Sequence, residues 1–309
     1  MGNTAYAEDE WQKTYQSYLE LIEWVDAVFV KITLNHCIVA DCMESVVDKV
    51  YQERRRFLEF VIGAQGTHKV QAKNAVDAGI LASVIADRMH LSFTQNRTVI
   101  EAALLHDVGM LCIPQEILEK PESLSKAEQW YILTHPLQSY KVIGRELHCF
   151  EDVALIALQH HESWNGEGYP KRLAGADIEL ESRIIAVADA FTAMITERPY
   201  RRAFGGHQAM KNLVSNTMIQ FDPEVLKAFV HLMGMYPVGS MVELNNGAAA
   251  RVLEYAEGVP LLKPRVRLIQ NGTCVDLLSE KGLLIKKSLE RKDILMNMSE
   301  TADQDKLTG

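Results

Sequence analysis

The sequence predicts a mainly α-helical protein: a helical bundle preceded by an N-terminal helical segment and followed by a small C-terminal β module. Three observations predict it. Apolar residues recur at three- and four-residue spacing as far as residue 235, capping signals punctuate that stretch, and strand-and-turn patterns appear only after Tyr236-Pro237.

Residues 8–62 read as helix throughout, rich in Glu, Lys, Gln and Leu, with Tyr15, Tyr18, Leu19 and Ile22, then Val46, Val47 and Val50, on helical spacing. Asp9 ahead of Trp11 suits an N-cap, and Gly63-Ala-Gln-Gly66-Thr-His68 breaks the pattern. We expect residues 1–62 to be a separate helical segment that dimerises or covers a site, and 63–235 to be the main helical domain. Within it the pattern predicts helices over Ala72–Met89 and Thr98–Val108, the latter stopped near Gly109 and Pro114. Ser125-x-x-Glu128 is a capping box, and Pro136 sits in a first turn or marks a kink. A helix from Asp152 should end at His160-His161; others should cover Leu180–Thr196, stopped before Pro199, and Pro223–Met235. Met241–Leu244 into Asn246-Gly247 and back along Ala249–Tyr255 reads as a hairpin, and Val266–Ile269, Asn271-Gly272 and Cys274–Leu278 as a second. We read 236–290 as the β module and 291–309 as a polar tail.

Among 309 residues, 48% hydrophobic and 24% charged content is that of a soluble globular protein, and no apolar run approaches the ~18 residues needed to span a bilayer. The first residues carry neither a basic region nor an apolar signal core, so a cytoplasmic protein is expected. A net charge of −9 makes the surface a poor partner for DNA or an anionic membrane; an anionic ligand must be caught by a local basic cluster or by metal. Five scattered cysteines without a Cys-x-x-Cys argue against a disulfide framework and against thiolate zinc.

The chemistry concentrates in His106-Asp107, His135, His160-His161 and Asp189. Neighbouring residues on a helix point about 100° apart, so an adjacent pair does not readily chelate one ion but can serve two adjacent ions. Two such pairs with a bridging Asp107 or Asp189 fit a two-metal centre, in which ions about 3.5–4 Å apart stabilise both attacking and leaving oxygens at phosphorus. Imidazole and carboxylate without thiolate suit iron, manganese, zinc, cobalt or nickel. Arg198-Pro199-Tyr200-Arg201-Arg202 gathers three guanidinium groups, which bind phosphate oxygens in a fork. Gly166-x-Gly168-Tyr169-Pro170, directly after the His pair, is a loop that lets backbone and ring approach a ligand.

On these residues the sequence resembles the HD-GYP family, a branch of the HD superfamily of metal-dependent phosphohydrolases. The matching runs are Leu104-Leu-His106-Asp107-Val-Gly109, Ile113-Pro114, Ile117-Leu118-x-Lys120-Pro121, His135-Pro136, His160-His161-Glu162-x-x-Asn165-Gly166-x-Gly168-Tyr169-Pro170, Ala188-Asp189-Ala-Phe191, Arg198-Pro199-Tyr200-Arg201 and Phe221-Asp222-Pro223. The resemblance implies an HD-type helical bundle, two divalent ions, often iron or manganese, and hydrolysis of cyclic di-GMP to pGpG or GMP. It implies that His106, Asp107, His135, His160, His161 and Asp189 ligate metal, with His106 and Asp107 at the catalytic centre, and that Tyr169, Arg198 and Arg201 contact the nucleotide. It also implies GGDEF-domain proteins as partners of the Gly-Tyr-Pro loop.

This chain departs from the family pattern at four places. Asn74 stands where a ligating His is usual, Met110 where Lys follows the His-Asp pair, Asn165 where Asp is usual, and Thr192 where a second acidic residue follows Asp189. An Asn amide is a weak neutral ligand, and methionine cannot donate to a phosphate oxygen. Two functions therefore compete: a cyclic di-GMP phosphodiesterase of reduced activity, and a receptor that binds the nucleotide in the same pocket and signals through partners. A third keeps the chemistry and changes the phosphoester.

Overall fold

The computed structural model describes residues 2–33, 40–63, 69–118, 120, 122–146, 151–197, 202–216, 219–256 and 261–289. Helices α1 (Gly2–Thr33) and α2 (Ala40–Gly63) lead into α3 (Val70–Arg88), α4 (Phe93–Leu105) and a 3-10 turn over Val108–Cys112. Then come α5 (Gln115–Leu118), α6 (Lys126–Ile132), α7 (His135–Glu146), α8 (Glu151–Gln159), α9 (Leu180–Ile195), α10 (Gly206–Asn216) and α11 (Pro223–Met233). The mainly α fold with a small C-terminal sheet is as expected, and the N-terminal stretch forms two helices.

Helix α3 is the axis of the bundle. It is apolar on nearly every side, with buried residues in an almost unbroken run from Ala72 to Ala86, and an all-round apolar helix belongs in the interior. It packs on α1, α2, α4, α9 and α11. Its buried charged residues are Lys73 and Asp77, one turn apart, whose side chains form an ion pair. Tyr18 of α1 donates its hydroxyl to the other Asp77 oxygen at 2.6 Å, and the Lys73 ammonium lies 3.4 Å from the Val61 carbonyl of α2. These bonds join the first three helices at one buried point, inside a core that runs continuously from Tyr18 to Val238.

The cap at Ser125 forms as expected, its hydroxyl accepting from Glu128 and the Glu128 carboxylate accepting from the Ser125 amide. A second capping box, Ser92 with Gln95, starts α4 five residues before the expected Thr98. Pro136 lies in the first turn of α7, where its missing amide hydrogen breaks no helical bond. Asp222 caps α11 and binds Arg183 of α9 at 2.7 Å.

Strands β1 (Met241–Leu244), β2 (Ala249–Glu254), β3 (Arg265–Leu268), β4 (Cys274–Asp276) and β5 (Ile285–Ser288) form one antiparallel sheet in the order β4-β3-β2-β1-β5. The two expected hairpins are thus one sheet, joined through the β2–β3 pairing, and β5 adds an edge that the sequence pattern did not announce. A small core of its own, including Val242, Leu244, Val252 and Val266, holds it together. Arg251 lies over the Trp11 ring at 5.6 Å and ties the sheet to α1. No described helix is long and apolar enough to cross a membrane.

Candidate metal centre

Three histidines stand where helices end. His106 follows α4, His135 follows α6 and begins α7, and His160 follows α8. The last carbonyls of a helix have no partner within it. Here each imidazole supplies one: His106 Nδ1 to Ala103 O at 2.7 Å, His135 Nδ1 to Ile132 O at 2.8 Å, His160 Nδ1 to Ala157 O at 2.6 Å. A carbonyl only accepts, so each Nδ1 carries a proton and each ring, when neutral, presents the Nε2 lone pair. The negative ends of three helices therefore point at one cluster, which favours a cation there.

Those lone pairs converge on Asp107. Its Oδ1 lies 3.1 Å from His135 Nε2 and 3.6 Å from His160 Nε2, and its Oδ2 lies 3.5 Å from His106 Nε2. His135 and His160 face each other Nε2 to Nε2 at 3.3 Å, and Asp189 Oδ1 is 3.6 Å from His106 Nε2. His106 Nε2 and Asp107 Oδ1 are buried without a hydrogen-bond partner. Lone pairs and carboxylate oxygens this close repel unless something positive sits among them, and buried orphans of this kind call for an ion. Donor atoms gather into two groups, one of Asp107, His135, His160 and His161, the other of His106, Asp107 and Asp189. Asp107 belongs to both.

The electrostatics follow the same geometry. Burial alone would lower His106, yet Asp107 and Asp189 outweigh it and hold its imidazole well above the usual range. Burial likewise opposes ionisation of Asp107, but His106 and the other imidazoles pull its carboxyl well below the ordinary value, and Asp189 is lowered for the same reason. Burial and neighbouring imidazoles push His160 and His161 down, which keeps them neutral. Neutral His160 and His161 beside ionised carboxylates are in the protonation states of ligands, and a cation among Asp107, Asp189 and His106 would take the place of the proton that these carboxylates hold on His106.

All six residues predicted as ligands thus lie together. Tyr169 lies beside them, its ring stacked on His161 at 4.9 Å and its amide donating to the His161 carbonyl. Burial, then Asp107 and Asp189, push its phenol well above the ordinary range, so it remains a donor. Arg198 and Arg201 lie outside the described residues. Asn165 organises its loop: its side-chain oxygen accepts from Ser163 and the Glu167 amide, and its NH2 donates to Glu167. Asn74 sits within 2.7 Å of the Thr196 hydroxyl at the end of α9, and Thr192 donates to the Asp189 carbonyl.

Several residues support the centre in ways the sequence reading did not assign. Ser139, four residues after His135, donates to the His106 carbonyl at 2.6 Å and accepts from Gly109 at 2.8 Å. That i, i+4 spacing was the available signal. A Cβ on Gly109 would stand 2.2 Å from the His135 carbonyl, so only glycine lets α7 meet the turn after Asp107. Buried Glu162 accepts from the amides of Lys171 and Leu173 and closes the loop that carries Tyr169. Gly168 crosses Glu162 so closely that a Cβ would meet its Cα at 2.5 Å. Gln71 of α3 donates to the Asp107 carbonyl at 3.2 Å.

Residues 40–225 match the family model described as HD domain. The chain is 32% identical over 203 residues to the cyclic di-GMP phosphodiesterase PdeB of Borreliella burgdorferi, covering 66% of this chain and 53% of that protein. It is 38% identical over 151 residues to the cyclic di-GMP phosphodiesterase response regulator RpfG of Xanthomonas campestris, covering 48% and 40%. Against the 3'3'-cGAMP-specific phosphodiesterase 3 of Vibrio cholerae it is 33% identical over 187 residues, covering 59% and 40%. The chain spans about half the length, or less, of these curated relatives. An HDG"Y"P protein of Bdellovibrio bacteriovorus shares the fold, with a TM-score of 0.56 and 19% identity over 69% of each chain.

Proposed function

This chain belongs to the HD domain family, and on that footing we propose that it is a metal-dependent phosphodiesterase acting on cyclic di-GMP. The observation that carries the reading is the convergence of three imidazole Nε2 atoms on the Asp107 carboxylate, with two buried atoms left unpartnered. Curated relatives named as cyclic di-GMP phosphodiesterases support the substrate. His106, Asp107 and Asp189 would hold one divalent ion, and Asp107, His135, His160 and His161 the other, with Asp107 shared. Iron or manganese suits this thiolate-free set. When bound, such ions polarise the phosphoryl oxygen and lower the pKa of water.

The protein's own share is positioning. His106 and Asp107 would hold the catalytic ions, the Tyr169 phenol would donate to the ligand, and Arg198 and Arg201 would steady its phosphates. The exposed Asn165 and Glu167 beside the Gly-Tyr-Pro turn leave that surface open to a GGDEF-domain partner. The deciding experiment is anaerobic turnover of cyclic di-GMP with ferrous or manganous ion, with 3'3'-cGAMP alongside. Accumulation of pGpG supports the assignment, and a preference for 3'3'-cGAMP moves the substrate within the cyclic dinucleotides.

Met110 and Asn74 favour a second reading, a receptor that binds and barely hydrolyses. The Met110 side chain offers no donor, and the Asn74 side-chain oxygen accepts from the Thr196 hydroxyl. Saturable binding without pGpG over hours would establish it. Met110→Lys would then raise turnover by roughly 10²–10³, the usual worth of one preorganised donor.

A further inference from the structure

We infer that Tyr18 is a positioning residue of the metal centre, acting from α1 through Asp77 and Lys73 on helix α3 and thence through Gln71 on Asp107. The inference rests on the reading of Asp107 as a ligand. Three links carry it. The Tyr18 hydroxyl is completely buried and donates to Asp77 at 2.6 Å. Asp77 pairs with Lys73 on the same helix, and the Lys73 ammonium reaches the Val61 carbonyl of α2 at 3.4 Å. A turn and a half before Asp77, Gln71 donates to the Asp107 carbonyl at 3.2 Å.

A buried ion pair is a poor source of stability, because desolvation offsets the attraction; its better-attested use is to specify one arrangement of the elements it joins. Here the elements are α1, α2 and α3, and what they must agree on is the rotation of α3. Helix neighbours are 100° apart, so a small roll of α3 about Asp77 swings both Gln71 and Asn74. Gln71 reaches the backbone of Asp107, and Asn74 reaches Thr196, two turns beyond Asp189 on α9. Both carboxylate-bearing elements thus take their bearings from α3. Helix α1 also packs directly on the 3-10 turn that follows Asp107. Burial pushes both the Tyr18 phenol and the Asp77 carboxyl above their ordinary values, as expected where polar groups are enclosed for placement.

The test compares the full chain with Tyr18→Phe, Gln71→Leu and the double variant. Manganese affinity is read from the free-ion signal in electron paramagnetic resonance, and ligand geometry from the visible spectrum of the cobalt-loaded protein. Gln71→Leu should weaken manganese binding by roughly 10-fold, the lower end for a residue supporting a ligand. Tyr18→Phe should weaken it several-fold and shift the cobalt bands the same way. The double variant should be no weaker than Gln71→Leu alone, since both act on one element. Unchanged affinity and spectrum in Tyr18→Phe, even with a lowered melting temperature, would leave Tyr18 a packing residue and overturn the inference. Multiplying effects in the double variant would overturn it as well. Gln71→Leu tests the last link by itself should Tyr18→Phe fold poorly. Failure of the unaltered protein to bind either ion would remove the metal centre itself, an outcome distinct from failure of the Tyr18 link alone.

Discussion

The hydroxyl of Ser139 donates to the carbonyl of His106 at 2.6 Å, across 33 positions of sequence. This bond seats the start of α7 on the turn that carries Asp107, and so sets the distance between His135 and the carboxylate it faces.

Gly109→Ala should break that seating. The added methyl would fall 2.2 Å from the His135 carbonyl and 2.4 Å from the Ser139 amide, both backbone atoms with little freedom to yield. We expect a loss of about 1–3 kcal/mol in stability from overpacking. Manganese affinity should fall by about 10–100-fold, as when a ligand's supporting contact is lost. Isothermal titration beside thermal melts checks both; unchanged affinity would mean that α7 can withdraw without disturbing His135.

Asp107→Asn should abolish stabilisation by metal. An ion at 100 times its Kd stabilises the folded state by about 2.7 kcal/mol. The unaltered protein should gain that much with saturating manganese, and the variant almost nothing, because Asp107 serves both donor groups. An equal gain in both would place the ion elsewhere.

Lys73→Met should be among the most damaging single changes away from the centre. It would leave the completely buried Asp77 carboxylate facing only the Tyr18 hydroxyl, at a cost of about 3–5 kcal/mol. Adding Asp77→Asn should restore part of the loss, since asparagine still accepts from Tyr18 without a buried charge. Urea melts of the single and double variants decide the point, and a neutral Lys73→Met would show the pair to be dispensable.

Glu128 gives the chain an acid-sensitive cap. Its carboxyl is held down at about 2, first by the Lys120 ammonium and then by the hydroxyl and amide of Ser125. A carboxyl depressed on folding adds stability above its ordinary value of 4.5, and that stability is lost as pH falls toward 2. Glu128→Gln should therefore melt below the unaltered protein at pH 6, with the gap narrowing below pH 4.5 and closing only near pH 2. A gap independent of pH would assign the effect to the cap geometry rather than to charge.

The centre was legible because its donors come in adjacent pairs and carry side chains whose chemistry is distinctive. Ser139 and Gln71 were not, and Gly109 was read only as a helix stop and a motif position, since each acts on a backbone atom whose neighbourhood exists only after folding. Helix α4 begins earlier than its apolar pattern because Phe93, in the first turn, is 56% exposed and hides the periodicity. The Ser92–Gln95 box was the better guide there. Helix α10 was overlooked, being short, although its buried Ala209, Met210 and Leu213 keep helical spacing. Strand β5 carries Lys286-Lys287 and no alternation, and it joins the sheet by backbone pairing with β1 alone.

Because His106, His135 and His160 each take up a carbonyl three residues behind them, every one of these imidazoles is indexed to the stopping point of its own helix. One residue inserted into α4, α6 or α8 would carry donor and anchoring carbonyl round together by about 100°, out of the cluster. The same insertion at Asn245–Gly247 would only lengthen a turn. The centre should thus withstand many exchanges of side chain on its outer faces and almost no change in the length of these three helices.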